Sequence, residues 1–339
     1  MLFEHASFEP AGTPLLGSAQ TAPNLHFKLE STNPTGSYKD RFVAAQLKHL
    51  AAQGYRTCVA TSSGNTGSSL AAYCARLGMG CIIAVNADAP AGKLLQMQAH
   101  GATVIRIPNF VTSPEITRDV FEQLQSFSAQ GRAALVVSAF HYCPTGMRAV
   151  GKIAAEILAA LPGTDHIFVP VGGGGLYVAI AEECLALGVR TKVHAVQPEG
   201  CPTLLRPFRS GSDIVEPVEA DTRISGLSVP FDIDAGRALA LVRRTGARVF
   251  GVTDSEVYAA QHALFRREGI YAEPAGAAAL AGYRQAVLQG IVREDQVSVC
   301  VVTGHGFKDP ASAQLLAEET EVFQTAAPGL TALLTELAG

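Results

Sequence analysis

The chain has 339 residues, 48% of them hydrophobic and 17% charged, with 33 glycines, which excludes the disordered class and suits a buried α/β protein with two lobes and a cleft. A net charge of −4, with seven lysines and no dense basic patch, argues against a nucleic-acid partner. Seven scattered cysteines fit neither a disulfide framework nor a zinc ribbon and point to a reducing cytoplasm. The start MLFEHASFEP lacks a signal peptide's basic end and apolar core, and no run of about eighteen apolar residues predicts a membrane span.

In chain order, a helical stripe of Val43, Leu47, Leu50 and Ala51 predicts a helix over 39–53. Short β-branched runs predict strands at 57–61, 81–85, 103–107, 134–138, 166–171, 192–196 and 297–302, continuous enough to be buried on both faces. A second helix is expected over 65–77, closed by Gly78. Ser113 before Pro114 and the Thr253 to Glu256 capping box mark two more helix starts. Alternating strands and helices imply parallel sheets with right-handed crossovers, and a ligand at the strand C-terminal ends. The stretch 200–234, rich in Pro, Gly, Ser and Asp, reads as a surface excursion or an active-site cover without regular structure.

Four windows carry chemistry. Ser31 to Arg41, STNPTGSYKDR, delivers Lys39 at a helix entry, where the positive end of the dipole disfavours a cation and so favours the neutral amine a nucleophile or base needs. Thr61 to Gly67, TSSGNTG, turns from strand to helix with N–H groups and hydroxyls suited to a carboxylate. Gly172-Gly173-Gly174-Gly175 lets backbone N–H groups approach a phosphate at a helix start. Thr303, in VVTGHGFKD, ends the last strand with a hydroxyl able to bond a neutral heteroaromatic nitrogen. Singly, the Lys39 and Thr61–Gly67 windows are ordinary, whereas four consecutive glycines lose much entropy on folding and favour a phosphate cradle over a plain turn. The segment Gly146 to Lys152 lacks the P-loop hydroxyl, since Ile153 follows the lysine. No metal-ligand spacing or G-x-S-x-G elbow occurs, and Glu273 has no evident carboxylate partner.

In this order, the windows resemble the fold-type II pyridoxal-phosphate enzymes, and among them the threonine synthases most closely, over nearly the whole chain. The resemblance implies an α/β fold of two open parallel-sheet domains, tryptophan synthase β-like. A small domain, 44–150, would close on a large cofactor domain of 1–43 and 151–339. It implies pyridoxal 5'-phosphate held covalently by Lys39, its 3-oxygen by Asn65, its phosphate by Gly172 to Gly175 and its pyridine nitrogen by Thr303. Ser62, Ser63 and Thr66 would bind the substrate carboxylate. AGKLLQMQAHGATVI and EPAGAAALAGY also match threonine synthase segments. The chain departs from the family at the Asn-Pro-x-Arg motif, reading Cys143-Pro144-Thr145-Gly146-Met147-Arg148, so that Arg148, the candidate for the substrate phosphate, stands two residues late. GGGGL is closer to the serine/threonine dehydratases.

The implied activity is lyase chemistry in amino-acid biosynthesis on a β- or γ-substituted amino acid, foremost O-phosphohomoserine to threonine plus phosphate. Serine/threonine dehydration and β-replacement on O-phosphoserine, as in cysteate or cysteine synthases, are the alternatives. A non-catalytic nucleotide-binding module is the reading from another class, and it leaves Lys39 without a task. The resemblance also implies a homodimer with a small-molecule substrate, and composition and spacing predict a cytoplasmic protein with no metal and no nucleic-acid or membrane partner.

Overall fold

The computed structural model describes residues 10–338; most of the N-terminal stretch read above for a signal peptide lies outside them. Two sheets organise the chain. One has six strands: β1 (Leu15–Gly17), β2 (Leu25–Leu29), β7 (His166–Pro170), β8 (Lys192–Pro198), β9 (Val249–Val252) and β10 (Ser298–Val302). Their spatial order is β1-β2-β10-β7-β8-β9, parallel throughout except where β1 runs against β2. The other holds β3 (Thr57–Ala60), β4 (Gly80–Asn86), β5 (Thr103–Ile107) and β6 (Ala134–Leu135), all parallel in the order β5-β4-β3-β6.

The fold is thus α/β with parallel sheets, as the alternating pattern predicts. Three strands escape the sequence pattern. β1 is short and β9 carries Gly251, while β2 (LHFKL) places Lys28 in the interior at 2% exposure, which an apolar-run criterion passes over. The predicted strand 134–138 stops after Leu135. Val136 N–H still bonds Val59 O at 2.8 Å, but Ala139 N–H turns back onto Val137 O at 2.8 Å, and the turn carries Ser138 toward Lys39.

Helices connect the strands. α1 (Lys39–Ala52), α2 (Asn65–Leu77), α3 (Ala91–Ala99) and α4 (Pro114–Ala129) come first, then α5 (Pro144–Val150), α6 (Lys152–Ala160) and α7 (Gly175–Ala186). α2 ends at Gly78 with φ +63°, the left-handed cap that favours glycine. The Ser113 hydroxyl caps α4. The stretch 200–234 contains one short helix, α8 (Leu205–Ser210), and is otherwise irregular; α9 (Ala235–Thr245) follows it. α10 (Asp254–Glu268) starts with both bonds of the Thr253–Glu256 capping box. α11 (Pro274–Leu288), α12 (Pro310–Ala317) and α13 (Leu330–Ala338) complete the order.

α7 and α11 lie on β7 and β8. Nearly every residue of the first three turns of α11 is buried. Its small residues bring it close: a Cβ added at Gly282 would stand 2.2 Å from Val196 Cγ2. No helix among the described residues is long and apolar enough to cross a membrane.

A buried imidazole pair joins β7 to β8. The rings of His166 and His194 stack 5.2 Å apart, with Nδ1 of the first 2.9 Å from Nε2 of the second. Arg248 N–H donates to His194 Nδ1 at 3.1 Å, so the His194 proton sits on Nε2 and is given to His166. Burial pushes both rings below the usual histidine range, His194 to about 3, with His166, Lys192 and Arg248 adding repulsion. The unfolded chain therefore takes up protons near pH 6.5 that the folded chain refuses. The stability contributed by the neutral pair is complete above that pH and is lost as pH falls, by up to about 1.4 kcal/mol per unit for each histidine. Urea midpoints measured from pH 8 to 5 should fall accordingly, and His194→Gln should remove roughly half of the slope.

Candidate active site

The four windows meet at the C-terminal ends of the strands, where parallel sheets place ligands. The Lys39 loop follows β2 and is laced to the loop after β10: Tyr38 N–H bonds Thr303 O at 3.0 Å and His305 N–H bonds Gly36 O at 2.9 Å. Glu273 N–H bonds Gly304 O at 3.0 Å from the other side. Lys39, Thr303 and Glu273 are therefore fixed to one another through backbone.

Lys39 is the first residue of α1 and half-buried. Its Nζ donates to Ser138 Oγ at 2.7 Å and lies 4.5 Å from the centre of the Tyr38 ring. The following residues anchor the turn. Buried Asp40 accepts the Thr35 N–H at 2.7 Å, the Thr35 hydroxyl at 2.5 Å and the Ser69 hydroxyl at 2.6 Å, tying α1 to α2. Burial raises the Asp40 carboxyl above its ordinary value, against the pull of these bonds.

The glycine loop approaches Lys39 through Ser138. The Ser138 hydroxyl donates to Met147 Sδ at 3.6 Å, and a Cβ at Gly175 would stand 2.8 Å from Met147 Cε and 2.9 Å from Asp234 Oδ2. Gly174 has φ +97°, and a Cβ there would meet the Asp234 carbonyl at 2.8 Å, so that position requires glycine. No side chain caps α7, whose first-turn N–H groups have no partner inside the helix. That is a cradle for an anion. Asp234 braces it from behind, accepting Phe140 N–H at 2.9 Å and donating its own N–H to Gly173 O at 2.9 Å.

Asn65 opens α2, and its Nδ2 donates to Glu273 Oε1 at 2.7 Å. Glu273 sits at the head of α11, 8% exposed. Gly304 makes this approach possible, because a Cβ there would fall 2.1 Å from Glu273 Oε1 and 3.2 Å from Asn65 Nδ2. Burial pushes the Glu273 carboxyl up to about 7; Asn65, Lys308 and Lys93 pull it down and Asp309 pushes it further up. Ser62 and Ser63 are half-buried and Thr66 is buried beside Asn65. The turn is tight: a Cβ at Gly67 would stand 2.1 Å from Ser62 O.

The structure thus brings together Lys39, Asn65, Thr303 and their loops, with Gly172 to Gly175 joined through Ser138. Arg148 lies apart, on the exposed face of α5. Sequence reading missed Ser138 and Asp234 and left Glu273 without a partner, because each acts across a separation with no local spacing: 99 residues for Ser138 with Lys39, 208 for Asn65 with Glu273. A separate hollow of about 630 Å³ at the β9 edge, lined by Glu199, Arg209, Arg248 and Gln285 among others, contains none of these residues.

This constellation fits a phosphorylated heteroaromatic aldehyde cofactor. An amine stands within one serine of an anion cradle, and the strand end that carries Thr303 and Gly304 lies against an amide-carboxyl pair. Residues 6–304 match the family model described as pyridoxal-phosphate dependent enzyme, and the chain belongs to that family. It is 33% identical to the threonine synthase of Methanosarcina acetivorans over 94% of this chain and 80% of that protein. It is 32% identical to the threonine synthase of Methanocaldococcus jannaschii over 87% and 73%. Among solved structures, the processed form of threonine deaminase isoform 2 from Solanum lycopersicum superposes with a TM-score of 0.78 at 20% identity, covering 92% of this chain and 85% of that one. That likeness concerns the fold.

Proposed function

We propose that the protein converts O-phosphohomoserine and water to threonine and inorganic phosphate. The observation that carries this reading is Lys39 held by Ser138 beside the glycine cradle, in a chain a third identical to threonine synthases. Pyridoxal phosphate, when bound, supplies an electron sink that stabilises the carbanion left by loss of an amino acid's α-proton. Lys39 would hold the cofactor and move the proton, with Ser138 orienting the amine. The N–H groups of Gly172 to Gly175 would take the cofactor phosphate, Thr303 its ring nitrogen and Asn65 its 3-oxygen. Ser62, Ser63 and Thr66 would bind the substrate carboxylate. Arg148 would serve the substrate phosphate by folding inward from the surface of α5.

The small domain, 44–150, would close over the substrate and exclude water except the molecule added at the β-carbon. Lys93 Nζ, from α3, already bonds Ser225 Oγ at 2.9 Å, a link between that domain and the 200–234 stretch. The same reading carries a cytoplasmic homodimer, which light scattering on the eluting protein checks for mass.

A second reading rests on the uninterrupted glycine run at 172–175: a serine/threonine dehydratase releasing a 2-oxo acid and ammonia. Supplying O-phosphohomoserine, O-phosphoserine, serine and threonine separately distinguishes the reactions. Threonine and phosphate should appear in equal amounts from the first. A 2-oxo acid from threonine or serine, with no phosphate from either phosphorylated substrate, would establish the dehydratase instead.

A further inference from the structure

Glu273 is the buried acid that the proposed reaction leaves without a task. Its carboxylate oxygen accepts one of the two Asn65 amide hydrogens at 2.7 Å. An amide has two distinguishable ends, a donor N–H₂ and an acceptor oxygen, and an ionised carboxylate only accepts. Ionised Glu273 therefore selects the rotamer that turns the Asn65 N–H₂ inward, leaving its second hydrogen for an anionic oxygen. A protonated Glu273 would donate to Asn65 Oδ1 instead, and the amide could then turn over.

Packing makes Glu273 hard to replace by water or another side chain. Gly304 leaves no atom between the carboxylate and the strand end, and Glu273's own N–H is spent on Gly304 O at 3.0 Å. The charged groups facing it come from two further elements. Lys93 on α3 and Lys308 after β10 favour its ionised form, whereas Asp309 opposes it. Lys308 is in turn held by Gln96 of α3. With two cations set against burial and Asp309, the carboxyl lies at about 7, inside the range where both rotamers are reachable.

We propose that Glu273 is a positioning residue whose ionised carboxylate fixes the Asn65 amide in the orientation that binds an anionic cofactor oxygen, making cofactor affinity depend on the proton at Glu273. The inference rests on the cofactor roles proposed above. Protein stripped of cofactor should bind pyridoxal phosphate, followed by absorbance, about tenfold more weakly at pH 6 than at pH 8 from this proton alone. Titration of the cofactor itself is common to every variant, so the difference between variants is the readout.

Glu273→Gln should lose that tenfold component while circular dichroism remains unchanged, and Asn65→Ala should lose it too. The double variant should bind as Asn65→Ala alone, because the two residues act as a unit. A Glu273→Gln variant with the wild-type pH slope, or additive losses in the double variant, would overturn the inference. Wild-type protein that never takes up pyridoxal phosphate would instead overturn the cofactor reading beneath it.

Discussion

Lys39→Ala should lower turnover by roughly 10³-fold or more while leaving the protein folded, since a positioned general base alone contributes about 10²–10⁴ and this residue would also hold the cofactor. The fold should tolerate the change. Lys39 is half-buried at the first turn of α1 and, among the described residues, its side-chain hydrogen bond goes to Ser138, and alanine is a good helix former. Circular dichroism and the thermal midpoint should stay near wild type. Borohydride treatment of holoenzyme should fix the chromophore on the peptide containing Lys39, and the variant should show no such label. Wild-type turnover in Lys39→Ala would remove the assignment, whatever the relatives are called. Ser138→Ala is the milder companion: the amine stays but loses its partner at 2.7 Å, so kcat should fall with little change in the amount of cofactor bound.

The contrast between Lys39 and Ser138 shows what the sequence makes legible. Lys39 is readable because its loop is local: turn residues, lysine and helix start lie within eleven positions. The glycine run is readable for the same reason. Ser138 lies where a five-residue apolar run predicts strand, yet pairing with β3 ends at Leu135 and the chain bends away. No period in the sequence encodes that bend. Asp234 is hidden differently, in a stretch without hydrophobic periodicity whose path is set by fitting against Gly173 and Phe140. β2 escapes prediction because pattern rules equate strand interiors with apolar residues, whereas Lys28 is buried in β2 with an ion pair to Glu156 at 2.6 Å; β9 escapes because Gly251 interrupts a run of only four residues. The alternation of strand and helix survives such local failures, since it depends on many segments at once. The position of one side chain does not.

That ion pair belongs to a network expected to control stability. Arg41, two residues after Lys39, grips Glu30 with Nε at 2.7 Å and Nη2 at 2.8 Å, and Glu156 with Nη1 at 2.6 Å and Nη2 at 2.7 Å. Lys28 Nζ adds a bond to Glu156 at 2.6 Å and one to Thr13 O at 2.6 Å. Asn33 Nδ2 donates to Glu30 Oε2 at 2.8 Å. Glu30 is wholly buried and Arg41 is 3% exposed. Burial alone would lower the guanidinium's proton affinity and raise that of Glu156, but mutual pairing reverses both. Removing one partner strands a charge, at a cost of about 3–5 kcal/mol. Arg41→Ala should therefore depress the calorimetric midpoint by roughly 4–7 °C, taking an unfolding entropy of about 2.1 cal/mol/K per residue, or about 1.4 °C per kcal/mol for a chain of this size. Arg41→Lys should recover only part, because an ammonium lacks the planar fork that serves two carboxylates. Arg41→Met combined with Glu30→Met should be less harmful than Arg41→Ala alone, since an apolar pair leaves one fewer buried carboxylate unmatched. If Arg41→Ala unfolds within 2 °C of wild type, the network contributes little, and α1 must be held by its contacts with α2 and α5 instead.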